Sequence, residues 1–171
     1  MPKLISVTPP SSCELCPRRC HADRAAGQIG FCGCGKTLKA ARAALHFWEE
    51  PCISGTRGSG TVFFSGCTLK CCFCQNYPIS AEGLGKEITP EHLAGIFLDL
   101  QRQGAHNINL VTPGQWRPWI IAALDAARAG GLHLPIVCNT GGYETVESIK
   151  AWEGYIDIWL ADLKYVSPAL S

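Results

Sequence analysis

The sequence predicts an α/β protein built around a parallel sheet and preceded by a small cysteine-rich segment. From residue 61 onward, short β-prone runs alternate with amphipathic helical stretches. Residues 1–55 are instead rich in Cys, Gly and Pro. Hydrophobic residues make up 47% of the 171-residue chain, which is enough for a compact core. We therefore expect a metal-binding unit over residues 1–55 and an α/β unit over residues 56–171.

In the second unit, four apolar runs predict strands, the first of them buried, and three amphipathic stretches predict helices between them. The strands are residues 61–65, 107–111, 135–138 and 156–160, and the helices are residues 90–103, 118–129 and 146–152. Thr89 supplies an N-cap for the first helix, and Gly130 ends the second. About four strand–helix units of this kind predict a parallel sheet that is either doubly wound or a barrel.

The first unit contains little that can form an apolar core. Its alanine-rich residues 36–47 predict a helix, and residues 54–60 predict a flexible connection to the second unit. Because so small a segment needs a bound metal to stay folded, we expect its cysteines to be metal ligands.

Charge and hydropathy exclude several classes of protein. The net charge is +1 and no run of Lys and Arg exceeds two residues, so the basic surface of a nucleic-acid-binding protein is absent. No apolar stretch approaches the ~20 residues of a membrane span, and the N-terminus lacks a signal-peptide core. We expect a cytoplasmic protein that binds neither nucleic acid nor membrane.

Most of the 11 cysteines fall into two groups. The first group is Cys13, Cys16, Cys20, Cys32 and Cys34, and the second is Cys67, Cys71, Cys72 and Cys74. Clustered cysteines in a cytoplasmic chain favour metal or cluster ligation, and an odd number fits a disulfide framework poorly.

The second group follows the first predicted strand, at the end where parallel α/β folds collect ligands. Cys67, Cys71 and Cys74 have the spacing C-x3-C-x2-C, so a short loop can bring three thiolates to one iron–sulfur cluster. Three ligands leave one iron open for a substrate. The alternative is a structural zinc with Cys72 as fourth ligand, although adjacent Cys71 and Cys72 would be cramped in a tetrahedral site.

This loop, with Phe73 before its last cysteine, resembles the radical S-adenosylmethionine (SAM) superfamily. Four flanking stretches narrow the resemblance to the branch related to pyruvate formate-lyase activating enzymes. They are residues 49–61 (EEPCISGTRGSGT), 74–77 (CQNY), 104–113 (GAHNINLVTP) and 162–165 (DLKY). The resemblance covers nearly the whole chain and implies a partial (β/α) barrel. We expect the chain to end before that barrel is complete.

The resemblance also implies an activity. A [4Fe–4S] cluster binds SAM and supplies one electron, and cleavage of the sulfonium gives methionine and a 5′-deoxyadenosyl radical that abstracts hydrogen. The implied substrate is a glycyl-radical enzyme, and the implied electron donor is a flavodoxin or ferredoxin. The cofactors supply this chemistry, and the protein would hold the sulfonium near the cluster and exclude water.

Five further residues match cofactor-binding positions of the family: Phe73, Asn139, Thr140, Asp162 and Lys164. Phe73 would pack near the adenine, and Asp162 would help to orient the methionyl end. The alternative for Asn139 and Thr140 is ordinary turn chemistry, and for Asp162 and Lys164 it is a solvated strand end.

One departure from the family's pattern lies at the end of the second predicted strand. The glycine-rich acidic motif that grips the cofactor's amino group is absent, and Thr112-Pro113-Gly114 stands there. Recognition of that amino group is therefore missing or is done by backbone carbonyls.

The first group of cysteines offers four thiolates, from Cys13, Cys16, Cys20 and Cys32, with Cys34 and His21 in reserve. A structural zinc and an auxiliary iron–sulfur cluster would use the same ligands, so the sequence leaves both open.

Two other functions of the protein also stay open. One is a radical SAM enzyme acting on a small molecule, and the other is a non-catalytic fragment that binds zinc or an iron–sulfur cluster.

Overall fold

The computed structural model describes residues 5–167, which form a six-stranded mixed sheet with strand order β3-β1-β2-β4-β5-β6. The strands are β1 (Lys39–His46), β2 (Ser59–Phe64), β3 (Lys86–Glu87), β4 (Ile108–Val111), β5 (Ile136–Thr140) and β6 (Ile158–Ala161). The helices are α1 (Pro51–Ser54), α2 (Tyr77–Ser80), α3 (Pro90–Arg102), α4 (Arg117–Ala129) and α5 (Val146–Lys150), and a 3-10 turn over Gly114–Trp116 precedes α4.

The four strands predicted from the sequence are β2, β4, β5 and β6, and each is parallel to its neighbour. The prediction of an α/β protein is therefore confirmed. Their order in the sheet follows their order in the chain, without the reversal that defines a doubly wound sheet. The carboxyl ends of all four strands consequently lie along one edge of the sheet.

Two predictions for the N-terminal region are wrong. Within residues 36–47, Lys39–His46 form β1 instead of a helix, because antiparallel pairing with β2 satisfies the backbone of both strands and outweighs the helix propensity of alanine. Residues 54–60 are ordered instead of a flexible connection: they contain the end of α1, a turn over residues 55–57 and the start of β2. The N–H of Gly58 donates to the carbonyl of Ser54 at 2.9 Å, and the carbonyl of Gly58 accepts from the N–H of His106 at 3.0 Å.

Helices α3 and α4 cover one face of the sheet and bury the main apolar core against it. This core includes Val62, Phe64, Leu93, Phe97, Leu100, Ile108, Leu110, Ile120 and Leu124. Side chains alternate along a strand, so Phe63, Asn109 and Asn139 point to the opposite face. The candidate site lies on that second face.

Among the helices of the described region, none has both the length and the apolar character needed to cross a membrane.

Candidate metal and cofactor site

A cavity of about 750 Å³ lies at the second face of the sheet and the carboxyl ends of its parallel strands. Cavities of this size take small molecules and cofactors. Every residue predicted for the loop cluster or the cofactor lines it: Cys67, Cys71, Phe73, Cys74, Asn139, Thr140, Asp162 and Lys164. These residues follow or end β2, β5 and β6, so parallel pairing brings them together. Their individual roles stay predictions.

The cysteine loop begins at Gly66, where the chain leaves β2 with a φ of 82°. A side-chain carbon at this position would lie only 2.5 Å from the carbonyl oxygen of Cys32 and from the sulfur of Cys34. That carbonyl accepts a hydrogen bond of 3.2 Å from the N–H of Cys67. Glycine is therefore needed here, because it lets the N-terminal segment lie directly against the cysteine loop.

Two of the three loop thiols receive hydrogen bonds from other residues, and a positive charge lies near Cys71 and Cys74. The N–H of Leu69 donates to the sulfur of Cys67 at 3.4 Å, and the hydroxyl of Ser80 donates to the sulfur of Cys74 at 3.3 Å. Burial raises the pKa of the Cys71 thiol, and the charge of Lys164 acts in the opposite direction. Hydrogen bonds to sulfur of this kind tune iron–sulfur clusters where they are bound.

Lys164 forms an ion pair with Asp162 beside the cysteine loop. Burial lowers the pKa of Lys164, but the hydrogen bond and charge of Asp162, together with the thiols of Cys71 and Cys74, raise it overall. Lys164 is therefore held as a cation at the cavity wall. Phe73 is 60% exposed and meets the ring of Tyr165 edge-on, with 6.1 Å between the ring centroids.

Three carboxylates in the cavity wall, Glu49, Glu50 and Glu144, were not predicted from the sequence. Glu144 accepts hydrogen bonds from the hydroxyls of Thr140 at 2.9 Å and Ser148 at 3.0 Å, and burial raises its pKa. Glu49 accepts a hydrogen bond of 3.4 Å from the amide of Asn139. Glu49 stands in the EEPCISG stretch that supports the resemblance, but no spacing rule there indicates a cavity residue.

The N-terminal cysteines also converge. Cys13, Cys16 and Cys32 are buried, whereas Cys20 is exposed. A side-chain carbon at Gly30 would lie 3.3 Å from the sulfur of Cys20 and 3.6 Å from the sulfur of Cys32. The thiol of Cys16 lies close enough to the other three to be affected by their charges, and burial raises its pKa.

The two reserve ligands of this group make other contacts. The thiol of Cys34 is fully buried and hydrogen-bonds to the side chain of Cys32, which lowers the pKa of Cys32 to about 6. The ring of His21 lies at the surface, 3.2 Å from Glu14 and 3.0 Å from the hydroxyl of Ser12.

Within residues 5–167, no three Cys, His, Asp or Glu side chains are arranged to hold a single metal ion. In an iron–sulfur cluster each thiolate binds a different iron, so its ligands lie farther apart than the ligands of one ion. The absence of a single-ion site among these residues is therefore compatible with a cluster at either cysteine group.

Comparison with known proteins gives one informative relative. No protein-family model matches the chain, and no solved structure matches it. The uncharacterized protein MJ0674 of Methanocaldococcus jannaschii is 31% identical over 161 residues, which cover 90% of this chain and 46% of that protein. The chain thus spans slightly less than half the length of this relative.

Proposed function

We propose that this protein is a radical SAM enzyme of the pyruvate formate-lyase activating enzyme-like branch, built on part of a (β/α) barrel. One observation carries the proposal: the C-x3-C-x2-C loop shares one cavity of about 750 Å³ with polar residues from two other parallel strand ends. The unreversed order of the four parallel strands also supports a barrel over a doubly wound sheet.

The donor set of the loop fits a [4Fe–4S] cluster. Cys67, Cys71 and Cys74 all line the cavity, whereas Cys72 is exposed and lies outside the set of lining residues. This arrangement favours three thiolate ligands with one iron open over a closed four-thiolate zinc site. When bound, the reduced cluster would supply the electron that cleaves SAM to methionine and a 5′-deoxyadenosyl radical, which takes a hydrogen atom from the substrate.

The residues of the chain would hold and shield the reactants. Lys164 offsets the negative charge of the three thiolates, and its ion pair with Asp162 fixes both side chains at the cavity wall. Asp162 then orients the methionyl end of SAM, and Asn139 and Thr140 contact it from the end of β5. Phe73 packs near the adenine, next to the ring of Tyr165.

The partners follow from the same proposal. Each cleavage consumes one electron, which a low-potential donor such as a flavodoxin or ferredoxin would supply in the cytoplasm. The Asp162-x-Lys164 motif favours a glycyl-radical enzyme as the substrate, from which a glycine hydrogen would be taken. A small molecule that enters the cavity is the second candidate substrate.

The test is anaerobic reconstitution with iron and sulfide, followed by reduction with dithionite in the presence of SAM. We expect iron and sulfide to be incorporated and 5′-deoxyadenosine to form, detected by mass spectrometry. Cys71→Ala should abolish 5′-deoxyadenosine formation, whereas the matched control Cys72→Ala should retain it. Cleavage that survives in Cys71→Ala, or wild-type protein that binds no sulfide, would overturn the proposal.

A non-catalytic metal-binding role is the second candidate function. The closeness of the Cys16 thiol to those of Cys13, Cys20 and Cys32 favours it, as do the sulfurs of Cys20 and Cys32 beside Gly30. A protein that binds zinc stoichiometrically and cleaves no SAM after reconstitution would support this role instead.

A further inference from the structure

Glu49 is a cavity residue that the proposed chemistry does not use. It lies in the short connection between β1 and α1, lines the cavity, and has a side chain only 12% exposed. The connection is rigidly built, because the N–H of Glu49 donates to the hydroxyl of Ser54 at 3.1 Å. The carbonyl of Glu50 accepts from the N–H groups of Ile53 and Ser54 at 2.8 and 3.0 Å. The sequence EEPCIS thus forms a closed turn that holds the Glu49 carboxylate at the second face of the sheet, where the cavity lies.

The Glu49 carboxylate has few partners for a group so well buried. Its contacts are a hydrogen bond of 3.4 Å from the Asn139 amide and an imidazole nitrogen of His46 at 3.9 Å. A carboxylate can accept about four hydrogen bonds. Within residues 5–167 no Lys or Arg forms an ion pair with it, and burial raises its pKa.

A second polar side chain beside Glu49 makes no close hydrogen bond. Asn109 of β4 is fully buried, and its amide lies near enough to the Glu49 carboxyl to lower the pKa of that carboxyl through a weak, long hydrogen bond. Neither polar atom of the Asn109 side chain has a close hydrogen-bond partner in the described part of the chain. Buried amides are almost always hydrogen-bonded, so one without a close partner marks a place that a bound molecule or water completes.

We propose that Glu49, Asn139 and Asn109 form a subsite that binds an ammonium or guanidinium group of a small molecule held in the cavity. A cation with several N–H donors supplies both the charge and the hydrogen bonds that this wall lacks. The group could come from two sources. One is the amino group of SAM, and this source rests on the proposed function. The acidic motif that grips this amino group in the resembled family is absent from residues 112–114 of this chain, so another acidic group would have to bind it. The other is a substrate that carries an amine.

The test is calorimetric titration of the purified, reduced, iron-free chain with three probes. S-adenosylhomocysteine carries the amino acid end of the cofactor, 5′-methylthioadenosine lacks it, and agmatine carries two cationic groups without a nucleoside. We expect at least one of the two amines to bind. Glu49→Gln should weaken its binding by about tenfold or more, as the loss of a charged hydrogen bond does, and should leave 5′-methylthioadenosine binding unchanged.

Glu50→Gln is the matched control, because Glu50 also lines the cavity but is exposed. It should leave amine binding unchanged, and Glu49→Asp, which keeps the charge, should retain part of it. A selective loss of S-adenosylhomocysteine binding identifies the cofactor as the source, and a selective loss of agmatine binding identifies an amine substrate. If neither amine binds to wild type, or if Glu49→Gln binds both as tightly, the proposal is overturned. Because no iron is present, failure to assemble a cluster does not affect this result.

Discussion

The two cysteine-rich regions use the same residue type in opposite environments. In the N-terminal region Cys13, Cys32 and Cys34 are 5%, 6% and 1% exposed. The thiol of Cys34 also donates to the carbonyl of Ser65, which follows β2, at 3.6 Å. In the loop after β2, Cys67, Cys71 and Cys74 are only half-buried and line a cavity. Thiols buried away from any cavity can contribute to folding but are poorly placed to meet a substrate. We therefore expect a structural role for the first region and, as proposed above, a chemical role for the second.

The first region also supports the second. Arg24 is fully buried, and its guanidinium lies 4.7 and 4.6 Å from the ring centroids of Trp116 and Trp119. It donates hydrogen bonds to the carbonyls of Gly35 at 2.7 Å and Gln115 at 2.8 Å. The Arg24 side chain thus connects the N-terminal region to the start of α4. The backbone hydrogen bond between Cys67 and Cys32 connects the same N-terminal region to the cysteine loop.

The largest difference between the regions should appear when a cysteine is removed from each. If the N-terminal thiols hold a metal, Cys32→Ala should lower the free energy of unfolding by several kcal/mol, because the free energy of metal binding contributes directly to folding. Cys71→Ala should change it by less than about 1 kcal/mol, since Cys71 lies at a cavity wall. Denaturant unfolding and metal analysis of both variants measure this, and equal losses would contradict the division of roles.

A smaller effect is expected when the link between the regions is cut. Arg24→Met should lower the free energy of unfolding by about 3 kcal/mol, since two buried carbonyls lose their donor and two indole rings lose a cation. Arg102→Met is the control, because its ion pair with Asp99 is exposed and should contribute less than about 0.5 kcal/mol. Similar losses in the two variants would show that Arg24 does not connect the regions.

The contact at Gly66 gives a third test. Gly66→Ala should cost about 2–3 kcal/mol of unfolding free energy, because its side chain meets the backbone of Cys32 and because φ is positive. Gly83→Ala shares the positive φ, at 68°, but meets nothing within 4 Å, so it should cost only about 1 kcal/mol. The difference between the two variants measures the packing of the N-terminal region on the loop, and no difference would mean that this packing is loose.

The smallest effect concerns the cavity wall and depends on pH. Burial raises the pKa of Glu49, so the folded state loses stability as pH rises from the ordinary carboxyl range through that raised value. Glu49→Gln cannot ionise and should be more stable than wild type at pH 8, with the difference disappearing near pH 4. Thermal unfolding at the two pH values tests this. A difference of the same size at both would mean that the charge is not the cause.

Local patterns predicted much of this architecture. The helix over Pro90–Arg102 begins at Thr89 as predicted, and the side-chain oxygen of Thr89 accepts from the N–H of His92 at 3.2 Å. The four parallel strands were found because strands of a parallel sheet leave continuous apolar runs in the sequence. This holds even for β6, which lies at the edge of the sheet and is mostly exposed. Strand β1 was missed because its alanines are weakly informative and its conformation is set by pairing with β2.

The sequence by itself determined where the cysteines are grouped and where the main strands and helices lie, because spacing, caps and apolar runs act between near neighbours in the chain. Tertiary structure alone decided what surrounds those sulfurs. Glu49 and Asn139 are 90 positions apart, and Arg24 and Gln115 are 91 apart. Contacts at such separations arise only when the strands pair and the N-terminal region packs, so no local pattern records them.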